Sequence, residues 1–186
     1  YKYEDSDVIS FYTKIIEALP KSEIILYNFE KLSGYKFSIN CVENLVKKFP
    51  TQIIGLKDST YNLYKNLQID NFSVMPGSET KLLEGLSAGC SGIITATTNI
   101  TASLARNVYD NFVNKKKQTQ ILKLCGVREA FDKFDLISGL HTFLTKKDKS
   151  YKNLLPPLRL LSKDHEQELI SNLKNLDFDI EKSKVA

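Results

Sequence analysis

Four short β-prone runs, "EIILYN", "TQIIGLK", "FSVM" and "GIIT", recur between Glu23 and Thr95, and stretches of helical period separate them. This alternation constrains the fold more than anything else in the chain, because neighbouring parallel strands need a crossover connection, usually a helix. The first helical stretch, "DSDVISFYTKIIEAL", places Val8, Ile9, Phe11, Tyr12, Ile15, Ile16 and Leu19 on one stripe and stops at Pro20. The next, "SINCVENLVKKF", opens at Ser38 and buries Val42, Leu45, Val46 and Phe49. A short helical piece is expected at 61–67 and a longer one at 78–88. The strand runs are apolar on both faces, so the expected class is α/β with a parallel sheet covered by helices on each side. After Ile94 the period becomes helical throughout, with "LLPPLRLLS" as a proline-stiffened connector. Four parallel strands fit either an open doubly wound sheet or half of an eight-stranded barrel. Neither G-x-G-x-x-G nor a P-loop pattern occurs, which weighs against a nucleotide-binding open sheet.

Composition narrows the function classes. With 186 residues and 42% hydrophobic content the chain can build a substantial core. Its 26 basic and 22 acidic residues give a net charge of +4, and the basic ones are scattered, so no nucleic-acid groove is implied. Three well-separated cysteines, Cys41, Cys90 and Cys125, supply neither a disulfide framework nor a metal cluster and point to a reduced, cytoplasmic setting. No apolar stretch is long enough for a membrane span, and "YKYEDSDVIS" is too polar and acidic for a secretory signal.

Functional residues of parallel sheets gather at the carboxyl ends of the strands. Here those ends carry Tyr27 and Asn28, Lys57 and Asp58, Gly77 to Glu79, and Thr95 to Asn99. Lys57 follows Ile53, Ile54 and Leu56, an unusual place for a charge. A desolvated lysine has a larger neutral fraction and can attack a carbonyl to form a Schiff base. If the first two strands are neighbours, Tyr27 lies close enough to pass protons for it. The competing structural account makes Lys57 an ion-pair partner of Asp58 or a side chain that snorkels to water. His141 and His165 sit in helical segments without metal-ligand spacing and are read as structural.

"ILYNFEKLSG", "IIGLKDST", "FSVMPGSETKLLEGLSAGCSGIITATTNI" and "LPPLRLLS", in this order and spacing, resemble the second half of the dihydrodipicolinate synthase and N-acetylneuraminate lyase family. The resemblance implies a (β/α)8 TIM barrel, of which residues 1–101 supply the last four βα units and residues 102–186 the final barrel helix and a helical extension. It makes Lys57 the Schiff-base lysine and Tyr27 the proton relay. It places Gly77 and Ile94 against a bound 2-oxo acid through their backbone, and Glu79 and Ser33 near the rest of the substrate. Glu79 stands where related aldolases carry Asp, and the family's early Thr-Thr motif has no counterpart here. The chain resembles a piece starting just after the fourth strand, so by itself it is expected to be inactive and poorly soluble.

The turn after Tyr27 reads Glu30, Lys31, Leu32, Ser33 and Gly34, without the Pro and Arg of the dihydrodipicolinate synthases. Ala96 replaces a serine of the sialic acid lyases, and Gly77-Ser78-Glu79 is closer to the 2-keto-3-deoxy sugar acid aldolases. The resemblance therefore implies a class I aldolase or lyase acting on pyruvate and 2-keto-3-deoxy sugar acids. Dihydrodipicolinate synthase, sialic acid lyase and a non-catalytic ligand-binding barrel stand as the alternatives. No metal or organic cofactor is expected, no nucleic-acid or membrane partner, and a homo-oligomer, dimer or tetramer, in the cytoplasm.

Overall fold

A computed structural model of the chain describes residues 2–181, which divide into two compact units at Ile94/Thr95. The first unit begins with α1 (Asp5–Ala18), followed by β1 (Ile24–Asn28), the single turn α2 (Glu30–Ser33) and α3 (Ile39–Lys48). It continues with β2 (Ile53–Asp58), β3 (Ser73–Pro76), a 3-10 turn at Glu79–Lys81 and α4 (Leu82–Ser87). The strands form one parallel sheet in the order β1-β2-β3, and the register sets Tyr27 opposite Lys57 and Lys57 opposite Met75. Ile54 is an extra residue in β2, since Ile24 pairs with Ile53 while Ile25 pairs with Gly55. Beyond that bulge, alternation puts Leu26, Leu56 and Val74 on one face, where they pack with Ile16 of α1 and Cys41, Val42 and Leu45 of α3.

The other face is open. Ile25 and Tyr27 are 44% and 43% exposed, and Lys57 and Met75 are partly exposed beside them. The strands were expected to carry helices on both faces, whereas α1 and α3 cover only one.

Two further expectations change. Residues 61–67 form a turn, because both carboxylate oxygens of the fully buried Asp58 collect backbone N–H groups and Tyr61 takes a positive φ of 63°. Oδ1 accepts from Thr60 and Tyr61 at 3.2 and 2.8 Å, and Oδ2 from Leu63 and Tyr64 at 2.8 and 2.9 Å. The fourth run, "GIIT", lies along β3 without joining its ladder. Ser91 N–H donates to the Val74 carbonyl at 2.9 Å and Ile94 N–H to the Pro76 carbonyl at 3.2 Å, three residues against two. Gly92 absorbs the extra residue at a φ of 152°, which a side chain would make strained.

The second unit is helical, with α5 (Thr98–Val113), α6 (Ile121–Asp132), α7 (Leu136–Leu144), a 3-10 turn at Lys149–Lys152 and α8 (Lys163–Asn175). Its core joins Ile100, Val127, Phe131, Phe143, Leu169 and Leu173. The Phe131 and Phe143 rings meet edge to face at 5.9 Å. His141 Nδ1 lies 2.8 Å from the Tyr151 carbonyl and the His165 ring packs on Phe134, contacts that fit the structural roles expected of both. No helix among the described residues is long and apolar enough to cross a membrane.

Candidate active site

Tyr27 and Lys57 reach the same place because the ladder leaves them in one register pair and alternation sends both to the open face. The Lys57 Nζ lies 4.0 Å from the centroid of the Tyr27 ring. That geometry holds the amine over an electron-rich face without using up a hydrogen-bond donor. Among the described residues Lys57 has no ion pair or hydrogen bond, so the Asp58 pairing weighed from the sequence does not form. Asp58 points to the buried face, where its oxygens are occupied by the 59–64 turn and by Asn28 Nδ2 at 2.8 Å.

Gly77 follows β3 and donates its N–H to the Asp58 carbonyl at 2.9 Å. A Cβ at this position would stand 2.1 Å from Ser59 Oγ, so only glycine lets the two loops approach so closely. The Ile94 N–H is likewise engaged, at the Pro76 carbonyl, while the expectation for both residues concerned backbone contact with the substrate in general. Ile94 itself is 36% exposed. Glu79 opens the 3-10 turn behind Ser78 and is completely buried. Ser33 ends α2, and its Oγ lies 2.9 Å from the Tyr35 carbonyl and 3.1 Å from that of Phe29, which makes it a local cap.

Ser33 and Tyr27 share a groove of about 380 Å³ with Tyr3, Phe11, Tyr12 and Tyr35. The Tyr35 hydroxyl donates to Asp5 Oδ1 at 2.7 Å. Burial first, then hydrogen bonds to Cys41 and Asp5, pushes its pKa far above the ordinary tyrosine value, so it stays protonated. Sequence reasoning did not find this groove, although the density of aromatic residues between Tyr3 and Phe37 signals it. A larger hollow of about 610 Å³, lined by Lys133, Phe134, Asp135, Arg159 and His165, belongs wholly to the second unit and contains none of these groups.

Comparison with known proteins adds an independent line. A profile of the dihydrodipicolinate synthetase family matches residues 1–176. The chain is 23% identical over 161 residues to a 2-dehydro-3-deoxy-D-gluconate/2-dehydro-3-deoxy-phosphogluconate aldolase of Picrophilus torridus, covering 83% of this chain and 60% of that protein. It is 26% identical over 138 residues to a 4-hydroxy-tetrahydrodipicolinate synthase of Brachyspira hyodysenteriae, covering 70% and 46%. Among solved structures, dihydrodipicolinate synthase of Cyanidioschyzon merolae with lysine bound superposes with a TM-score of 0.85 at 18% identity, covering 95% of this chain and 62% of that one. The structural likeness carries the fold alone. The chain thus spans no more than about three-fifths of the length of these relatives. On the extent of the profile match, together with a parallel α/β fold shared with solved synthases, this chain belongs to the dihydrodipicolinate synthetase family.

Proposed function

We propose that this chain carries the imine-forming lysine and the proton-relaying phenol of a class I aldolase or lyase acting on pyruvate and 2-keto-3-deoxy sugar acids. The observation that carries this reading is the Lys57 amine, held 4.0 Å from the Tyr27 ring at the carboxyl ends of two paired strands with no competing carboxylate. The Lys57 amine adds to the ketone carbon of a 2-oxo acid to give a carbinolamine. Tyr27 then passes a proton to the departing hydroxyl, and water leaves an iminium. Electron withdrawal by the iminium lets the adjacent methyl carbon give a proton to the Tyr27 phenolate, and the resulting enamine attacks an aldehyde, whose oxygen takes that proton up. Hydrolysis of the new iminium returns the amine and frees the product; cleavage runs through the same steps in reverse.

The reaction draws its electron sink from the imine itself and requires no metal or organic cofactor. The open sheet face bearing Tyr27 and Lys57 supports reading the first unit as βα units of a (β/α)8 barrel, with the 91–94 segment as an irregular fourth strand. Residues 1–101 then supply barrel and 102–186 its last helix and extension, in a cytoplasmic homo-oligomer. Similarity to the Picrophilus aldolase favours sugar acids. Similarity to the Brachyspira synthase keeps aspartate semialdehyde as the second aldehyde to test.

Borohydride reduction of the full-length protein in the presence of pyruvate tests the chemistry. A covalent adduct is expected on the peptide containing Lys57, and the Lys57→Arg variant loses it. Pyruvate that leaves the Lys57 peptide unmodified refutes the proposal in favour of a binding barrel. A panel of 2-keto-3-deoxy acids, sialic acid and aspartate semialdehyde with pyruvate then separates the substrate branches.

A further inference from the structure

The side chain one residue beyond Tyr27 joins four segments of the site. Asn28 is fully buried, and its Nδ2 donates to Asp58 Oδ1 at 2.8 Å and to Asn62 Oδ1 at 2.7 Å. Its Oδ1 accepts from the Phe37 N–H at 3.2 Å, and Asn62 Nδ2 closes the ring of contacts on the Phe37 carbonyl at 3.0 Å. A primary amide has two N–H bonds to donate, and in Asn28 both are engaged. The amide therefore ties β1 to the end of β2, to the turn that Asp58 organises, and to the segment bearing Tyr35 beside the tyrosine groove.

Register makes these ties matter for chemistry. Asn28 and Asp58 form one cross-strand pair on the buried face, and Tyr27 and Lys57 form the preceding pair on the open face. The backbone bond from Ser59 N–H to the Asn28 carbonyl, at 2.8 Å, keeps the strands paired without the side chain. What the amide adds is lateral fixation at the point where the regular ladder ends. Proton transfer between the phenol and the substrate held on the amine depends steeply on the spacing of the two side chains, so loss of fixation is felt in rate before it is felt in folding.

We propose that Asn28 is a positioning residue that sets the spacing of the Tyr27 phenol and the Lys57 amine, acting with Asp58 and Asn62. The proposal rests on the imine reading above. Its test, on the full-length protein, is the exchange of pyruvate methyl hydrogens with deuterated solvent, which needs no aldehyde, measured alongside borohydride trapping. Asn28→Ala is expected to slow exchange by roughly 10- to 100-fold with little change in the KM for pyruvate. In a Tyr27→Phe background the same change is expected to cost less than about threefold, because the group being positioned is already gone. Asn62→Ala, on an exposed residue, acts in the same direction more weakly and serves if Asn28→Ala fails to fold. A control, Val42→Ala, lowers thermal stability through the α3 core without touching the amide.

Additive losses in the double variant, or a loss equal to that of the control at a matched shift in Tm, overturn the proposal. Absence of a trapped adduct in the parent protein overturns the imine reading and this proposal with it. An adduct accompanied by additive rates overturns this proposal alone.

Discussion

Cys90 and Cys41 have thiols whose surroundings oppose ionisation. Burial, with Asp58 nearby, pushes the Cys90 pKa up to about 11, and burial also raises that of Cys41. Since the thiolate is the reactive form, both are expected to resist iodoacetamide at pH 8 while the more accessible Cys125 is alkylated first. Labelling of Cys90 then climbs about tenfold per pH unit towards pH 10, as peptide mass spectrometry would show. Early labelling of Cys90 at pH 8 would mean that the 88–92 loop opens readily. The same carboxylate that raises Cys90 also organises the 59–64 turn, so a single buried charge acts on both sides of β2's end. That double role was hidden in the sequence, where Asp58 stands next to a lysine and reads as its counter-ion. Strand alternation sends the two to opposite faces.

Helix α3 shows how much of an element its letters can specify. Ser38 caps it by accepting from the Cys41 N–H at 3.0 Å, while its hydroxyl donates to Asp5 in the first turn of α1. Ser38→Ala is expected to cost about 1 kcal/mol for the cap alone, read from the urea midpoint, and the unpaired Asp5 oxygen adds to that. Cap, period and buried face were all legible, as were β1 and β2 and the convergence of Tyr27 on Lys57. The 61–67 turn was not, because Tyr61, Tyr64 and Leu67 stand three apart and imitate a helical stripe. Carboxylate capture of four N–H groups decides the conformation there, and it depends on a residue outside the stripe. The 91–94 segment failed for a different reason. Its composition is that of a strand, but the backbone angle at Gly92 shifts the hydrogen bonds out of step. Asn28 reads as a strand terminator, and nothing local announces a hub whose partners lie nine, 30 and 34 residues away.

Across the whole molecule, each of the two units has its own core. Leu56 and Leu169 are both completely buried, one in each. Leu56→Ala and Leu169→Ala are each expected to cost about 2–5 kcal/mol. Hydrogen exchange should locate the damage, with Leu56→Ala loosening β1–β3 amides first and Leu169→Ala those of α6–α8; identical exchange maps would show one shared cooperative core instead. Because all three strands run in the same direction, their carboxyl ends gather at one end of the sheet, the working end on the proposed reading, and their amino ends at the other. Tyr27, Lys57 and Gly77 occupy the first; Ile24, Ile53 and Ser73 begin the strands at the second. On the imine reading, heat tolerance is therefore best sought at exposed positions of that far end, such as Thr51 just before β2, and away from Ile53, which is 1% exposed, with borohydride trapping as the check that the opposite end was left undisturbed.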